Sequence, residues 1–331
     1  MARRTITGLL ASGWEGLTQR KPTAVIEASG LTKRYGSTVA VDALSFTVQP
    51  GRVTGFLGPN GAGKTTTMRL ILGLDRPDRG RVTVAGKRYA DYCFPLYEVG
   101  ALLDAKAVHG GRRARDHLLC LAQSNRIPRR RVAEVLELVG LSEVARRRVA
   151  TFSLGMSQRL GIAAALLGDP EVVMFDEPVN GLDPEGIVWI RNLFRSLADE
   201  GRTVFVSSHL MSEMALTADH LIVVGRGKLI ADEAISDLLS RGVGRVRVSS
   251  PELDRLTTLL EAQGARVDRA PRGAVVHELA APAIGEIAAH HQIVLHELTP
   301  EQASLEETFF ELTNESVEFH GEDAVGQATA R

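Results

Sequence analysis

Eight consecutive residues near the amino end of the chain have the spacing of a phosphate-binding loop. Residues Gly58 to Thr65 match G-x-x-x-x-G-K-S/T at every fixed position. The loop lies between a predicted strand, 53–57, and a predicted helix, 66–72, so its main-chain N–H groups would point at an anion. Lys64 would add a positive charge beside the β- and γ-phosphates, and the Thr65 hydroxyl would bind Mg²⁺. The stretch predicts a nucleoside triphosphate site. Its candidate binding residues are Gly58, Pro59, Asn60, Gly61, Ala62, Gly63, Lys64, Thr65 and Thr66.

Two carboxylates and a histidine follow two further apolar segments. Asp176 and Glu177 come directly after a predicted strand, and His209 follows the next one, 203–207. The carboxyl ends of neighbouring parallel strands meet at one edge of a sheet. Asp176 could there orient Mg²⁺, Glu177 could polarise an attacking water, and His209 could reach a γ-phosphate. An Asp-Glu pair alone often only ends a strand at the surface, but beside the phosphate loop it favours hydrolysis.

Composition and periodicity indicate the elements that position these residues. The 331 residues allow two domains, and a net charge of −1 gives no global field that favours nucleic acid. Strands and helices alternate between 171 and 224, which predicts a mostly parallel sheet flanked by helices. No apolar run approaches 18 residues, so we expect no membrane span. The two cysteines have no metal-type spacing and suggest a reducing compartment.

Two further segments carry a resemblance to a known family. Residues 152–159, FSLGMSQR, and 180–183, NGLD, look like the signature and D-loops of ABC-transporter ATPases. Residues 23–240 are similar to one complete ATP-binding cassette of P-loop NTPase type, with a helical subdomain at about 104–160. The resemblance implies that Tyr35 stacks on adenine, that Lys64, Thr65 and Asp176 hold phosphate and Mg²⁺, that Glu177 is the catalytic carboxylate, that His209 is the switch histidine and that Asp183 is the D-loop aspartate.

The chain departs from the family pattern at two positions of the signature loop. The usual sequence is LSGGQ, whereas Leu154 and Met156 stand at its third and fifth positions here. The Ser153 hydroxyl and the backbone N–H groups remain, so contact with the γ-phosphate of an opposite subunit can persist. The resemblance gives this role in trans to Ser153, Leu154, Gly155 and Met156. The form SLGM resembles bacterial cassettes that serve antibiotic, lantibiotic-immunity and drug exporters.

Asp104 is the other departure, because the family places its Q-loop glutamine there. A carboxylate can bind Mg²⁺ but cannot donate a hydrogen bond when it is ionised. Asp104 would therefore keep a metal contact and alter communication with a membrane partner. The alternative is that Asp104 only caps a loop.

The segment from Asp104 to Arg159 is helical in pattern and basic in charge. It holds twelve Lys and Arg against five Asp and Glu, clustered at 112–115, 129–131 and 146–148. It could meet an acidic loop of a membrane partner or an anionic lipid surface, or it could be an ordinary solvated face. Without interleaved aromatic residues, nucleic acid is a weaker interpretation.

The two ends of the chain carry no nucleotide motif. Residues 1–22 are expected to be a flexible extension or a short membrane-surface segment with Trp14 as its anchor. Residues 241–331 predict a small α+β accessory domain of β-α-β-β-α-β order with its fourth strand at 293–295, and this order suggests a ferredoxin-like domain. A helix near 303–313 resembles one common among exporter cassettes, and an acidic tail follows.

The motifs predict an ATPase subunit that binds ATP and Mg²⁺, and the resemblance implies that two copies form a head-to-tail dimer. The resemblance implies a separate membrane permease, a place at the cytoplasmic face of the membrane, and export of a drug, antibiotic, peptide or lipid. We expect no substrate-binding protein and no nucleic acid partner. The alternative is a soluble ABC ATPase that acts on ribosomes or DNA. Such proteins usually carry two cassettes or a long coiled-coil insert, and this chain has neither.

Overall fold

The computed structural model describes residues 25–240 and 245–301. The expectations for residues 1–22 and for the helix near 303–313 lie outside these residues. The strands are β1 (Ile26–Tyr35), β2 (Thr38–Val48), β3 (Arg52–Leu57), β4 (Arg79–Val84), β5 (Val99–Leu102), β6 (Val172–Asp176), β7 (Thr203–Ser208), β8 (His220–Gly225), β9 (Lys228–Ala234), β10 (Arg245–Ser249), β11 (Arg266–Ala270), β12 (Gly273–His277) and β13 (Glu297–Glu301). The helices are α1 (Lys64–Ile71), α2 (Ala114–Ser124), α3 (Arg130–Leu138), α4 (Leu154–Ala165), α5 (Pro184–Asp199), α6 (Met211–Thr217), α7 (Ile235–Ser240), α8 (Leu253–Ala262) and α9 (Ala281–His290).

A six-stranded sheet has the order β5-β6-β7-β3-β8-β9. Its first five strands are parallel, and β9 pairs with β8 in the antiparallel direction. Strands β6, β7 and β8 are buried at every position, as expected where both faces of a parallel sheet are covered. This order puts the strand before the phosphate loop, β3, beside β7, and β7 beside β6. The expectation that these strands share an edge is confirmed.

Two hydrophobic clusters lie on opposite faces of this sheet. Val173 and Phe175 belong to one cluster, whereas their neighbours Val172 and Met174 belong to the other. The second cluster also holds the inner face of an antiparallel sheet of order β2-β1-β4. The rings of Phe46, Phe56 and Phe205 join the two sheets there, with centroids 5.1–5.9 Å apart.

Helices α2, α3 and α4 form the predicted helical segment between β5 and β6. The stripe Val132, Val135, Leu136 and Val139 is at most 3% exposed, which confirms the face that its spacing predicted. Within the two described ranges, no helix is both long and apolar enough to span a membrane.

Strands β10 to β13 form a third, antiparallel sheet of order β11-β12-β10-β13, with its own apolar cluster against α8 and α9. The β-α-β-β-α-β order and this strand order are those of a ferredoxin-like fold. The predicted fourth strand at 293–295 is wrong, because the fourth strand is Glu297–Glu301. The N–H of Ile293 instead donates to Ala288 O at the end of α9, and its side chain is buried there. Pro300 is tolerated in β13 because this strand forms an edge of the sheet.

Candidate active site

The loop between β3 and α1 is held by its glycines. Gly61 and Gly63 have φ angles of +82° and +97°, in the region that favours glycine. A Cβ at Gly58 would collide with the carbonyl oxygen of Val224, and one at Gly63 with that of Ala40. Gly63 is also the N-cap of α1 and offers no side chain to its first turn. The N–H groups of that turn are therefore left for an anion.

Lys64 is buried inside the phosphate loop, with 6% of its surface exposed. Its Nζ donates to Gly58 O at 2.6 Å and to Pro59 O at 3.3 Å, and lies 3.5 Å from Glu177 Oε1. Pro59, Asn60 and Gly61 form the exposed crest of the loop, whereas Ala62 is buried beneath it. The carbonyl groups of the loop thus hold the ammonium group inside the phosphate loop.

Asp176 ends β6 as a buried carboxylate with two hydroxyl partners. Thr65 Oγ1 donates to its Oδ2 at 2.6 Å, and the Ser207 hydroxyl donates to its Oδ1. Among the ion pairs of the described residues, none involves Asp176, so its negative charge is met by hydroxyl dipoles alone. A hydroxyl and a carboxylate oxygen beside a phosphate loop are the hard ligands that Mg²⁺ takes. Thr65 and Asp176 therefore fit this ion.

Glu177 stands in the left-handed region with φ +49°, an unusual conformation for a residue with a side chain. Its N–H donates to Ser207 Oγ at 3.0 Å, and its carbonyl accepts from Gln158 Nε2 at 3.3 Å. Strained backbone of this kind persists where neighbouring groups fix it on both sides. The result aims the carboxylate of Glu177 back over the phosphate loop, towards Lys64.

His209 lies just past β7, at the sheet edge where the sequence placed it, and it contacts Glu177, which the sequence did not predict. Its Nδ1 is 2.7 Å from Glu177 Oε2. The carboxylate of Glu177 thus lies between the Lys64 ammonium on one oxygen and the His209 ring on the other. Positive or hydrogen-bonding groups on both oxygens fix the direction of the carboxylate, which a general base requires.

Tyr35 is not in contact with this group but is fixed at the far end of α1. Its hydroxyl donates to Asp75 Oδ2 at 2.8 Å, and Arg69 Nε donates to the same oxygen at 2.7 Å. The pKa of the Asp75 carboxyl is lowered by the Arg69 hydrogen bond first and by Tyr35 second. Tyr35 remains 47% exposed, and the Lys33 ammonium lies over its ring at 5.4 Å from the centroid. Thr66 lies near enough to the phenol to influence its pKa, which is raised chiefly by desolvation and by Asp75.

The signature and D-loops begin two helices and contact each other. The Ser153 side chain is the N-cap of α4 and accepts from the N–H of Met156 at 3.2 Å. Asp183 caps α5 in the same way, accepting from the N–H of Gly186 at 2.8 Å. Leu154 lies against Gly181, and a Cβ at Gly155 would come within 2.9 Å of Gly181 O. None of the described hydrogen bonds joins Ser153 or Asp183 to the phosphate loop of its own chain.

Asp104 follows β5 and is exposed. Its Oδ1 accepts from the main-chain N–H of Lys106 at 2.7 Å, and its carbonyl accepts from the N–H of Ala107. This is the geometry of a loop cap. The second oxygen of the carboxylate has no partner among the described hydrogen bonds.

Comparisons with known proteins agree with this geometry. A family model described as ABC transporter matches residues 41–180. The ABC transporter ATP-binding protein YhcH of Bacillus subtilis is 36% identical over 304 residues, covering 89% of this chain and 97% of that protein. The bacitracin transport ATP-binding protein BcrA of Bacillus licheniformis is 40% identical over 240 residues, covering 72% of this chain and 78% of that protein. The chain belongs to the ABC transporter ATP-binding proteins. It is an ATP-binding ATP hydrolase.

Solved structures show the same cassette fold. The structure of an ATP-binding subunit of an ABC transporter, 25% identical in sequence, aligns with a TM-score of 0.60 over 66% of this chain and 92% of that chain. A second family model, described as Domain of unknown function (DUF8746), matches residues 244–306. That range covers the third sheet of this ABC ATPase.

Several residues of the cassette were missed by the sequence reasoning. Ser207 bonds both Asp176 and the N–H of Glu177, Gln158 bonds the carbonyl of Glu177, and Asp75 holds Tyr35. Gln158 and Ser207 lie within segments that the motifs already marked, so their positions were a usable signal. Asp75 lies in a turn after α1, and only the fold brings it to Tyr35.

Proposed function

We propose that this chain hydrolyses ATP with Glu177 as the general base. The observation that carries the proposal is the Glu177 carboxylate, fixed 2.7 Å from His209 Nδ1 and 3.5 Å from Lys64 Nζ beside an intact phosphate loop. A carboxylate in this position can accept a proton from a water that attacks the γ-phosphate. A bound Mg²⁺ at Thr65 and Asp176 would neutralise charge that develops on the phosphates.

Each group of the site then has a separate task. The N–H groups of Gly61 to Thr66 cradle the phosphates, and Lys64 exchanges its loop carbonyls for phosphate oxygens. His209 holds the carboxylate and reaches the γ-phosphate. Tyr35, held by Asp75, stacks on the adenine ring.

The signature and D-loops are proposed to serve a second copy of the chain. Ser153, Leu154, Gly155, Met156 and Asp183 lie at the amino ends of α4 and α5. Their hydrogen bonds, as described above, stay within their own helices and do not reach the phosphate loop of the same chain. In a head-to-tail dimer, the amino end of α4 would face the γ-phosphate held by the opposite copy. Each of the two ATP sites is then shared by two chains.

The mechanical partner is proposed to be a separate permease in the membrane. Relatives of this family work with such partners, and BcrA is by its name a bacitracin transport protein. The SLGM form of the signature supports export of a drug, antibiotic, peptide or lipid rather than uptake with a substrate-binding protein. Two copies of the chain would then sit at the cytoplasmic face of the membrane with two permease subunits.

We also propose a division of the chain at about residue 240. Residues 23–240 would be the cassette, with a helical subdomain at about 104–160, and residues 241–331 an accessory domain that supports dimerisation or regulation. The separate apolar cluster of the third sheet supports this division. A chain that ends after Ser240 should still bind ATP. Failure of that truncated chain to fold would show instead that the two parts share one folding unit.

Purification from the native membrane tests the transport proposal directly. We expect a membrane subunit to copurify with the chain, and we expect it to change the ATPase rate when it is added back to the purified chain. Recovery with ribosomes or DNA, and with no membrane subunit, would favour the alternative of a soluble ABC ATPase that acts there.

A further inference from the structure

Two arginine-rich segments of the helical region lie side by side. The segment before and into α2 pairs with the segment before α4 through main-chain hydrogen bonds: Ala114 N–H donates to Arg147 O at 3.2 Å, and Val149 N–H donates to Arg112 O at 2.9 Å. Arg113 and Arg148 face each other across this pairing as an isolated bridge. The fold thus gathers six arginines that are about thirty residues apart in sequence. We call Arg112, Arg113, Arg115, Arg146, Arg147 and Arg148 the arginine surface.

All six residues of the arginine surface are exposed. Among the ion pairs of the described residues, none includes any of the six. By contrast, Arg131 in the neighbouring helix α3 pairs with Glu134 at 2.7 Å. The acidic residues adjacent in sequence are Asp116 and Glu143, both exposed. Arg147 donates to Thr151 O at 3.4 Å, but this carbonyl carries no charge. Six guanidinium groups without an ion pair, against two carboxylates, leave a local excess of positive charge.

The chemistry of this surface indicates what it binds. Guanidinium groups bind phosphate oxygens bidentately and stay charged at all physiological pH values. A protein partner usually needs an apolar or aromatic anchor at the centre of its interface. Among the described residues, no large exposed hydrophobic side chain lies between 98 and 153, and the nearest in sequence on either side are Tyr97 and Leu154. A charged surface without an anchor suits a fluid array of phosphates better than a shaped protein surface.

We propose that the arginine surface binds the anionic lipid headgroups of the membrane beside which the cassette works. This goes beyond the proposed function, and it rests on that proposal only in placing the chain next to a membrane. Each basic residue near an anionic leaflet adds to the binding, and the attraction extends over about one Debye length. Lipid contact would hold the helical region against the membrane in addition to any permease contact.

Sedimentation of the purified full-length chain with vesicles tests the proposal without a permease. The vesicles contain phosphatidylcholine with or without phosphatidylglycerol, at low and at high salt. We expect binding to the anionic vesicles only, and loss of that binding at high salt. Changing Arg113, Arg115 and Arg148 together to Ala should lower the partition coefficient on the order of a hundredfold.

The matched control removes the same charge from another exposed part of the cassette. Arg76, Arg79 and Arg81 are exposed around the start of β4, so the triple change of these three to Ala alters net charge equally. We expect it to lower vesicle binding less than threefold. A triple change of Arg113, Arg115 and Arg148 to Lys keeps the charge and should retain most of the binding. Basal ATPase activity of every variant, measured without vesicles, should equal that of the parent chain, which reports intact folding.

Three results would overturn the proposal. One is equal binding to neutral and anionic vesicles, and another is an equal loss in the control triple. The third is unchanged vesicle binding in the Ala triple together with failure to assemble with the permease, which would assign the arginine surface to an acidic protein surface. An inactive chain that still binds anionic vesicles through these arginines would refute the ATPase proposal and leave this one standing.

Discussion

At the phosphate loop, the functional side chains contact one another, whereas at the amino ends of α4 and α5 the capping side chains of Ser153 and Asp183 hydrogen-bond only within their own helices. Lys64, Glu177 and His209 form a chain of polar contacts of 3.5 Å and 2.7 Å, and Thr65 and Asp176 form a hydrogen bond of 2.6 Å beside it. The Ser153 hydroxyl, by contrast, accepts a hydrogen bond from the N–H of Met156, and the adjacent Leu154 is 45% exposed. Both regions carry motif residues, but only the first is assembled within one chain.

This difference indicates which residues can be tested in one chain and which need two. We call Lys64, Thr65, Asp176, Glu177 and His209 the phosphate-loop half, and Ser153 to Met156 with Asp183 the signature half. The side-chain contacts of the phosphate-loop half all lie within one chain, so substitutions there should change nucleotide binding in a monomer as well as in a dimer. On the proposal above, the signature half acts on a phosphate bound to the opposite copy. Its substitutions that keep the helix caps should therefore leave the folded monomer unchanged and act only when two chains meet.

The largest effect is expected from Glu177→Gln. The amide keeps the shape of the side chain but cannot accept the proton, so kcat should fall about 10²–10⁴-fold. ATP binding should persist, and the variant should accumulate as an ATP-bound dimer in size-exclusion chromatography. Lys64→Ala is the contrasting variant, because it should weaken ATP binding itself. Near-normal turnover in Glu177→Gln would remove this residue from the role of base.

The second prediction separates the cap from the phosphate contact at Ser153. Aspartate caps helices as well as serine does, so Ser153→Asp should keep the thermal unfolding temperature of the chain without nucleotide. Its negative charge would face the γ-phosphate of the opposite copy, so ATP-driven dimerisation and ATPase activity should fall at least about tenfold. Ser153→Asn keeps the cap without the charge, so its dimerisation and ATPase activity should fall less. Equal activity in the Asp and Asn variants would show that Ser153 only caps α4.

Motif spacing predicted the phosphate-loop half well because its contacts follow from strand order. Once β3, β7 and β6 are parallel neighbours, the residues after them must share an edge, which places His209 and Glu177 at the same end of the sheet. The helical stripe at Val132 to Val139 was predicted for a similar reason, since spacing alone sets a helix face.

Other features depend on contacts that sequence spacing does not contain. The bond between Asp75 and Tyr35 joins residues 40 positions apart, and the pairing of Arg113 with Arg148 joins residues 35 apart. The error at 293–295 has a different cause. A short apolar run predicts a strand or the end of a helix equally well. Here the N–H of Ile293 donates to Ala288 O at the end of α9.

A third prediction concerns the far end of α1, where Asp75 holds Tyr35. Asp75→Ala removes the acceptor of both the phenol and Arg69, so the affinity for ATP should fall about three- to tenfold with kcat nearly unchanged. Asp75→Asn keeps an acceptor for the phenol, so its affinity for ATP should lie between those of the parent chain and Asp75→Ala. A fall in kcat without a change in ATP affinity would contradict a positioning role for Asp75.

The pH dependence of the same contact has a definite sign. The pKa of Asp75 is held below its ordinary value of 3.8 by Arg69 and then by Tyr35. Because the pKa of Asp75 is lower in the folded chain than in the unfolded chain, Asp75 contributes its full stabilisation above about pH 4. This contribution is lost as the pH falls through the lowered pKa. Between about pH 6 and 8, the difference in ATP affinity between the parent and Asp75→Ala should therefore stay constant. Titration of nucleotide binding across that range measures it.

The smallest effect is expected at Asp104, which stands apart from both halves on its own loop. One oxygen caps the N–H of Lys106, which an amide oxygen can do equally well, so Asp104→Asn should keep the thermal stability of the chain. If the free oxygen serves Mg²⁺, the loss of charge should raise the Mg²⁺ concentration for half-maximal ATPase activity, by about threefold. Asp104→Glu is the converse variant, since it keeps the charge and moves the cap out of place. It should lower the unfolding temperature slightly and leave the Mg²⁺ dependence near that of the parent chain. Identical Mg²⁺ dependence in all three chains would reduce Asp104 to a loop cap, and the link to the permease would then have to run through other residues.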